Sequence, residues 1–126
     1  MAKKLRPIPM KPDLLRLNGI SEQQITEHFE ILYKGYVSKV NEISEKLPEA
    51  DWDEANPTYS EIRELKLEET FARNGVVLHE LYFLNLEANG RPDRSLMDAI
   101  TRSFTSYKAW DSHFRATGLA ARGGLY

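Results

Sequence analysis

Three histidines, His28, His79 and His113, are the side chains best suited to binding a metal, because the sequence contains no cysteine. His28 and His79 each lie on an apolar row with helical spacing, whereas His113 stands between Trp110 and Phe114. A single histidine on an apolar face is usually a hydrogen-bonded core residue. Two neutral imidazoles that face one point, however, suit iron, manganese or zinc ions. We therefore expect a site only if His28 and His79 meet, and we expect a half-exposed His113 without a chemical role.

The spacing around the histidines excludes several familiar metal motifs. The residues three positions before them are Ile25, Val76 and Trp110 instead of glutamate, which disfavours a ferritin-like di-iron bundle. The pair His79-Glu80 lacks a second histidine four positions after the first, so the zinc-protease helix is excluded. Two ligands alone make a weak, open site, since stable sites take at least three protein ligands and usually a carboxylate.

The composition is that of one ordinary globular domain of 126 residues, with 29% charged residues and a net charge of −2. A nucleic-acid surface needs a clustered basic face, and the basic residues cluster only in a short N-terminal arm that we expect to be solvated: Lys3, Lys4, Arg6 and Lys11. No apolar run approaches the ~18 residues of a membrane span. Without cysteine the compartment stays open, with the cytoplasm as the default expectation.

The first predicted helix begins at Ser21, which forms a capping box with Gln24, and ends at Pro48. Before it, residues 1–19 are predicted to form an extended arm closed by a turn. Apolar residues recur along the helix in steps of three and four, the pattern of one buried face. These residues are Ile25, His28, Phe29, Leu32, Tyr36, Val40, Ile43 and Leu47.

The second predicted helix runs from Thr58, capped by a box with Glu61, to Leu86. Its inward residues are Ile62, Leu65, Phe71, Ala72, Val76, His79, Tyr82, Phe83 and Leu86. Because Ala72 and Gly75 are small and share the face of His79, we expect a cavity beside the imidazole. Two such helices predict an antiparallel hairpin that brings His28 and His79 to similar heights.

Two short helices are predicted after a turn at residues 88–92. The first carries Leu96, Ile100 and Phe104, and the second, opened by Thr105-Ser106, points Tyr107, Trp110 and Phe114 inward and ends at Gly118. No segment alternates like a strand. The predicted fold is therefore all-α, a long antiparallel helical hairpin plus two short helices. Residues 1–90 would hold the arm and hairpin, and residues 91–126 the helical start of a C-terminal domain.

Three motifs in this order resemble the iron/manganese superoxide dismutase family. The pattern His-aromatic-x-x-His-His-x-x-Tyr-Val, followed by Asn, reads His28, Phe29, Leu32, Tyr33, Tyr36, Val37 and Asn41. The pattern Asn-His-x-x-aromatic-aromatic-x-Asn-Leu reads Leu78, His79, Tyr82, Phe83, Asn85 and Leu86. The later Phe-Gly-Ser-aromatic pattern reads Phe104, Thr105, Ser106 and Tyr107. The resemblance extends from Leu17 to Gly123.

The resemblance implies that His28 and His79 are two ligands of an iron or manganese ion. It places Tyr36 as the tyrosine beside the metal that gates substrate and protons, and it implies dismutation of superoxide to dioxygen and hydrogen peroxide. Gly75 stands where the iron enzymes carry glutamine, which favours the manganese type. This chain departs from the family pattern at two places. Leu32 and Tyr33 replace the His-His pair, and Leu78 replaces the Asn before the second ligand.

The family members continue for another ~70–80 residues, about half a typical domain. The resemblance assigns to that part a three-stranded sheet, an aspartate ligand and a third histidine ligand. We therefore expect this chain to bind metal weakly alone and to need a second chain or a homo-oligomer. The alternative is a non-enzymatic helical protein that self-associates, with or without a metal between chains.

The last residues, Gly124, Leu125 and Tyr126, suggest two origins for this ending. Loss of the first base of the Trp codon in the family's Trp-Val-Val-Leu-Ala would yield Gly-Leu-Tyr and a stop. A split enzyme, whose second chain supplies the rest, is the other hypothesis. The neighbouring DNA distinguishes them.

Overall fold

Two long helical stretches dominate the computed structural model, which describes residues 4–121. The first consists of α1 (Glu22–Glu27), a π-helical segment (His28–Tyr33) and α2 (Lys34–Lys46). The second is α3 (Glu61–Asn85). The two stretches are antiparallel, because ring contacts join position 28 to position 83 near one end and position 36 to position 71 near the other. The predicted helical hairpin is confirmed.

Two shorter helices follow, α4 (Arg94–Phe104) and α5 (Tyr107–Ala120). Short 3₁₀ turns occupy Pro12–Arg16 and Leu47–Glu49. No strand occurs within residues 4–121, so the all-α prediction is confirmed for that range. The described helices include none that is both long and apolar enough to cross a bilayer. The predictions about Lys3 and about residues 122–126 lie outside the described residues.

The chain divides into two compact units between Ala88 and Asn89. The first unit holds the arm and hairpin, and its core is formed by Leu14, Ile25, Phe29, Tyr33, Val37, Val40, Ile43, Ala72, Val76 and Phe83. Leu14 is fully buried in this core, so it fixes the arm to the hairpin. Phe71 does not belong to this core, since 63% of it is exposed.

The π-helical segment overturns the predicted inward position of Leu32. Leu32 is 55% exposed, whereas the neighbouring Tyr33 is fully buried. A π turn closes hydrogen bonds between residues five apart, so it accommodates one residue more than an α turn. The inward row therefore moves from position 32 to Tyr33 and continues through Val37 and Val40.

The cap of α1 is confirmed and that of α3 is wrong. Ser21 Oγ accepts a hydrogen bond from Gln24 N at 3.1 Å. In contrast, α3 is capped by Ser60, whose Oγ accepts from Arg63 N at 3.3 Å. Thr58 lies two residues before this cap, in a turn where its amide donates to Asn56 Oδ1. The helix therefore begins at Glu61, later than predicted.

Ser60→Ala should lower the free energy of unfolding by about 1 kcal/mol, because α3 loses its N-cap acceptor. Thr58→Ala is the matched control and should change it by less than about 0.5 kcal/mol. Urea unfolding followed by circular dichroism measures both. Equal losses for the two variants would contradict the assignment of the cap.

The second unit differs from prediction in its helix end and in its exposed face. α5 continues through Gly118 to Ala120, because that glycine keeps a helical backbone instead of the left-handed one that ends helices. The left-handed cap falls on Thr105 at the end of α4 (φ 67°), where the family pattern carries glycine.

Tyr107 and Phe114 are exposed, and only Trp110 of the predicted inward set in α5 is half-buried. Within the described part of this unit, α4 is the one helix available to cover α5.

Candidate metal site

The hairpin brings the two predicted histidines together. The ring centroids of His28 and His79 lie 4.9 Å apart, with the ring planes at 82°. His28 is the first residue of the π-helical segment, and His79 lies opposite it on α3. His79 is buried and His28 is half-buried. The expectation that an antiparallel hairpin places both imidazoles at one height is confirmed, while their role as ligands stays a prediction.

A hydrogen bond fixes the tautomer of His79. Its Nδ1 lies 2.6 Å from the carbonyl oxygen of Gly75, one turn earlier on α3. A carbonyl can only accept, so Nδ1 carries the proton, and Nε2 of the neutral ring holds the lone pair. Histidine ligands of metals commonly donate their other ring nitrogen to a backbone carbonyl in this way.

Aromatic rings surround the pair of histidines. His28 contacts Tyr82 and Phe83, with ring centroids 5.1 and 5.0 Å away. Tyr36 lies 5.2 Å from the ring of His79. Burial, and then the positive charge that His79 could carry, lower the pKa of His28. The neutral form is the one that donates a lone pair to a metal.

The cavity predicted beside His79 is wrong, because the ring of Tyr36 fills that space. A β-carbon added at Gly75 would lie 2.5 Å from Cδ1 of Tyr36. The small residue on α3 thus admits an aromatic ring from the facing helix. This packing holds Tyr36 beside His79, where the resemblance expects it, and its catalytic role stays a prediction.

His28 can be reached from outside the hairpin. It lines an open depression of about 500 Å³ on the surface of α1 and the π-helical segment. Gln24, Glu27 and Leu32 also line it. A ligand from another segment could therefore approach His28 from this side.

The described residues do not complete a metal site. No group of three or more histidine, aspartate or glutamate side chains that could hold an ion occurs within residues 4–121. Glu69 is instead paired with Lys66 and Arg73 along α3, and these bonds lower its pKa. His113 belongs to the other unit and packs on Phe104. It is exposed, where we expected it half-exposed. The two neutral imidazoles fit an iron or manganese site in chemistry, but they fill only part of it.

Sequence reasoning missed Tyr33 and misread Lys11. Tyr33 was recognised only as a replacement for a family histidine, yet its hydroxyl donates to Glu80 Oε1 at 2.8 Å in the core beside His79. Burial raises the pKa of Tyr33 to about 12, so the hydroxyl keeps its proton. Lys11 is not simply solvated, because its Nζ donates to the carbonyl oxygens of Leu84 and Leu86 at the end of α3. No local sequence pattern marks Tyr33, because the partners of its hydroxyl, Ile8 and Glu80, are distant in sequence.

No protein-family model matches the chain. Individual relatives do. It is 48% identical over 119 residues to an iron superoxide dismutase of Aquifex pyrophilus, covering 90% of this chain and 55% of the relative. An iron superoxide dismutase of Cupriavidus metallidurans is 38% identical over 124 residues, covering 98% and 61%. A manganese superoxide dismutase of Haloferax volcanii is 32% identical over 126 residues, with the same coverage.

These relatives carry both metals in their names, and the two iron enzymes are the more similar of the three. The chain spans little more than half the length of the curated relatives it matches. Its helical hairpin and the motifs around His28 and His79 agree with that match. The chain belongs to the iron/manganese superoxide dismutase family and corresponds to the N-terminal helical part of its members.

Proposed function

We propose that this chain supplies the helical half of a superoxide dismutase, with His28 and His79 as two ligands of an iron or manganese ion. The reaction converts two superoxide ions and two protons to dioxygen and hydrogen peroxide. The observation that carries the proposal is the meeting of two imidazoles from facing helices, with ring centroids 4.9 Å apart. A bound iron or manganese ion would supply the one-electron redox change.

The protein's part in this chemistry is to bind, orient and shield. The carbonyl of Gly75 holds His79 with Nε2 free, and the aromatic rings around the pair keep bulk water from the inner side. Tyr36 lies next to His79, where its hydroxyl could pass a proton to a bound substrate. A carboxylate and a further histidine are still needed, and we propose that they come from outside residues 4–121, from a second chain or a longer form of this one.

A second candidate is a non-enzymatic protein that self-associates. It is favoured by exposed apolar side chains that follow one another in helical steps of four and three residues on α3, with exposed fractions of 53% for Val77, 51% for Leu81 and 56% for Leu84. Contiguous apolar surface of this kind commonly marks a contact with another protein. In that case the histidine pair would be packing alone, or would share a metal with another copy.

Manganese titration of the purified chain tests the first proposal. Binding followed by electron paramagnetic resonance should weaken at least about tenfold in His79→Ala and in His28→Ala, because each variant removes one donor. The matched control is His113→Ala, whose histidine is exposed in the other unit and should leave the affinity unchanged. Any dismutase activity of the loaded chain should fall in the same two variants.

Manganese affinity that is equal in all three variants and the parent would contradict the metal proposal. Light scattering after size exclusion tests the second candidate, with Leu81→Glu as the variant. A chain that binds no metal, and whose association is lost on that substitution, would favour the non-enzymatic protein.

A further inference from the structure

A buried tyrosine supports the histidine pair from behind. The side chain of Tyr33 is fully buried between the rings of Phe29 and Phe83, at centroid distances of 5.0 and 6.1 Å. Its ring faces that of His79 almost in parallel, at 6.4 Å and an angle of 21°. Tyr33 therefore forms part of the wall against which His79 rests.

The hydroxyl of Tyr33 joins the N-terminal arm to α3. It accepts a hydrogen bond from the amide of Ile8 at 2.8 Å and donates one to Glu80 Oε1 at 2.8 Å. A buried phenol hydroxyl that loses such partners carries a desolvation cost, so both bonds fix its place. Because Glu80 directly follows His79, one oxygen atom connects the arm to the backbone that carries the histidine.

The π-helical segment is what makes this arrangement possible. His28 and Tyr33 lie at its two ends, five residues apart, which is the spacing of one π turn. Both side chains consequently face the interior of the hairpin, and Leu32 is turned outward. In an unbroken α-helix, residues five apart would point in clearly different directions.

The arm is also fastened at points farther from the histidines. Asn41 exchanges two hydrogen bonds with the backbone of Leu5, at 2.8 and 3.0 Å, and lies eight residues beyond Tyr33. Lys11 donates to two carbonyl oxygens at the end of α3. These anchors would keep the arm on the hairpin if the bond between Tyr33 and Ile8 were removed. The contribution of Tyr33 can therefore be measured without detaching the arm.

We propose that Tyr33 is a positioning residue, which ties the N-terminal arm to α3 and thereby holds the imidazole of His79 in its observed orientation. This coupling between Tyr33 and the orientation of His79 exists in the metal-free chain. Only its effect on metal affinity rests on the proposed function. If His79 moves while metal affinity proves unrelated to the histidines, this inference stands and the proposed function fails.

Tyr33→Phe tests the coupling, because it keeps the ring and removes only the hydroxyl. We expect the Ile8 amide to exchange with solvent about tenfold faster, since it loses its acceptor. We also expect the ring-nitrogen and ring-proton signals of His79 to shift in nuclear magnetic resonance spectra of the full chain. Far-ultraviolet circular dichroism should show that the helices persist.

Asn41→Ala is the matched control, because it loosens the arm at Leu5 without touching Tyr33. It should speed exchange of the Leu5 amide and leave the His79 signals in place. Glu80→Gln keeps an acceptor oxygen and should preserve those signals, whereas Glu80→Ala should shift them, so the test holds even if Tyr33→Phe does not fold. Unchanged His79 signals in Tyr33→Phe and Glu80→Ala, or equal shifts in Asn41→Ala, would overturn the inference.

Discussion

Replacing Phe83 with alanine should lower the free energy of unfolding of the hairpin by about 3–5 kcal/mol. Phe83 is 1% exposed, and its ring contacts those of His28, Phe29 and Tyr82 at 5.0 to 5.3 Å. Truncation would remove one ring from a cluster contributed by both helical stretches, and the rigid neighbours could close the gap only in part. Since small domains are stable by about 5–15 kcal/mol, the loss is a large share of the total.

Leu84→Ala is the control for this prediction. Leu84 follows Phe83 on α3, but it is 56% exposed, so its truncation should cost less than about 1 kcal/mol. Urea unfolding of the parent and both variants, monitored by circular dichroism, gives the comparison. Similar losses for the two variants would mean that α3 does not face the first helical stretch through the row that contains Phe83.

The helices and their pairing could be predicted because they rest on local patterns. Apolar steps of three and four residues around Ile25 and Val76 define one face of each helix, and the loop at residues 48–57 is short enough to bring the two helices side by side. The one-residue shift at Leu32 and Tyr33 could not be predicted in the same way. The hydrogen bonds that accompany it join Tyr33 to Ile8 and Glu80, which lie 25 and 47 residues away in sequence, so no local pattern reports the shift.

The candidate site was also predictable where it rests on local patterns and unpredictable where it rests on packing. His28 and His79 could be paired because both lie on the faces that form the hairpin. The content of the space beside them could not be predicted, since the small residue at Gly75 is compatible with either a cavity or a ring. Tyr36 fills it only because the facing helix comes within reach, and that distance is set by the packing of many side chains together.

Gly75→Ala should lower the free energy of unfolding by about 1–2 kcal/mol, although alanine is the better helix former. The new β-carbon would lie 2.5 to 2.7 Å from three ring atoms of Tyr36, including Cγ near the ring's attachment, so the whole ring would have to move. That movement takes Tyr36 away from His79, and the ring signals of both residues should shift in nuclear magnetic resonance spectra.

Gly35→Ala makes the same change in α2, where a β-carbon meets nothing within 4 Å. It should raise the free energy of unfolding by about 0.5–1 kcal/mol, because only the helix propensity changes. A third comparison isolates the clash. In a Tyr36→Ala background, Gly75→Ala should become stabilising by a similar amount, since the ring that opposed it is gone. If Gly75→Ala stabilises the parent as much as Gly35→Ala does, Tyr36 does not lie over Gly75, and its place beside His79 has to be abandoned.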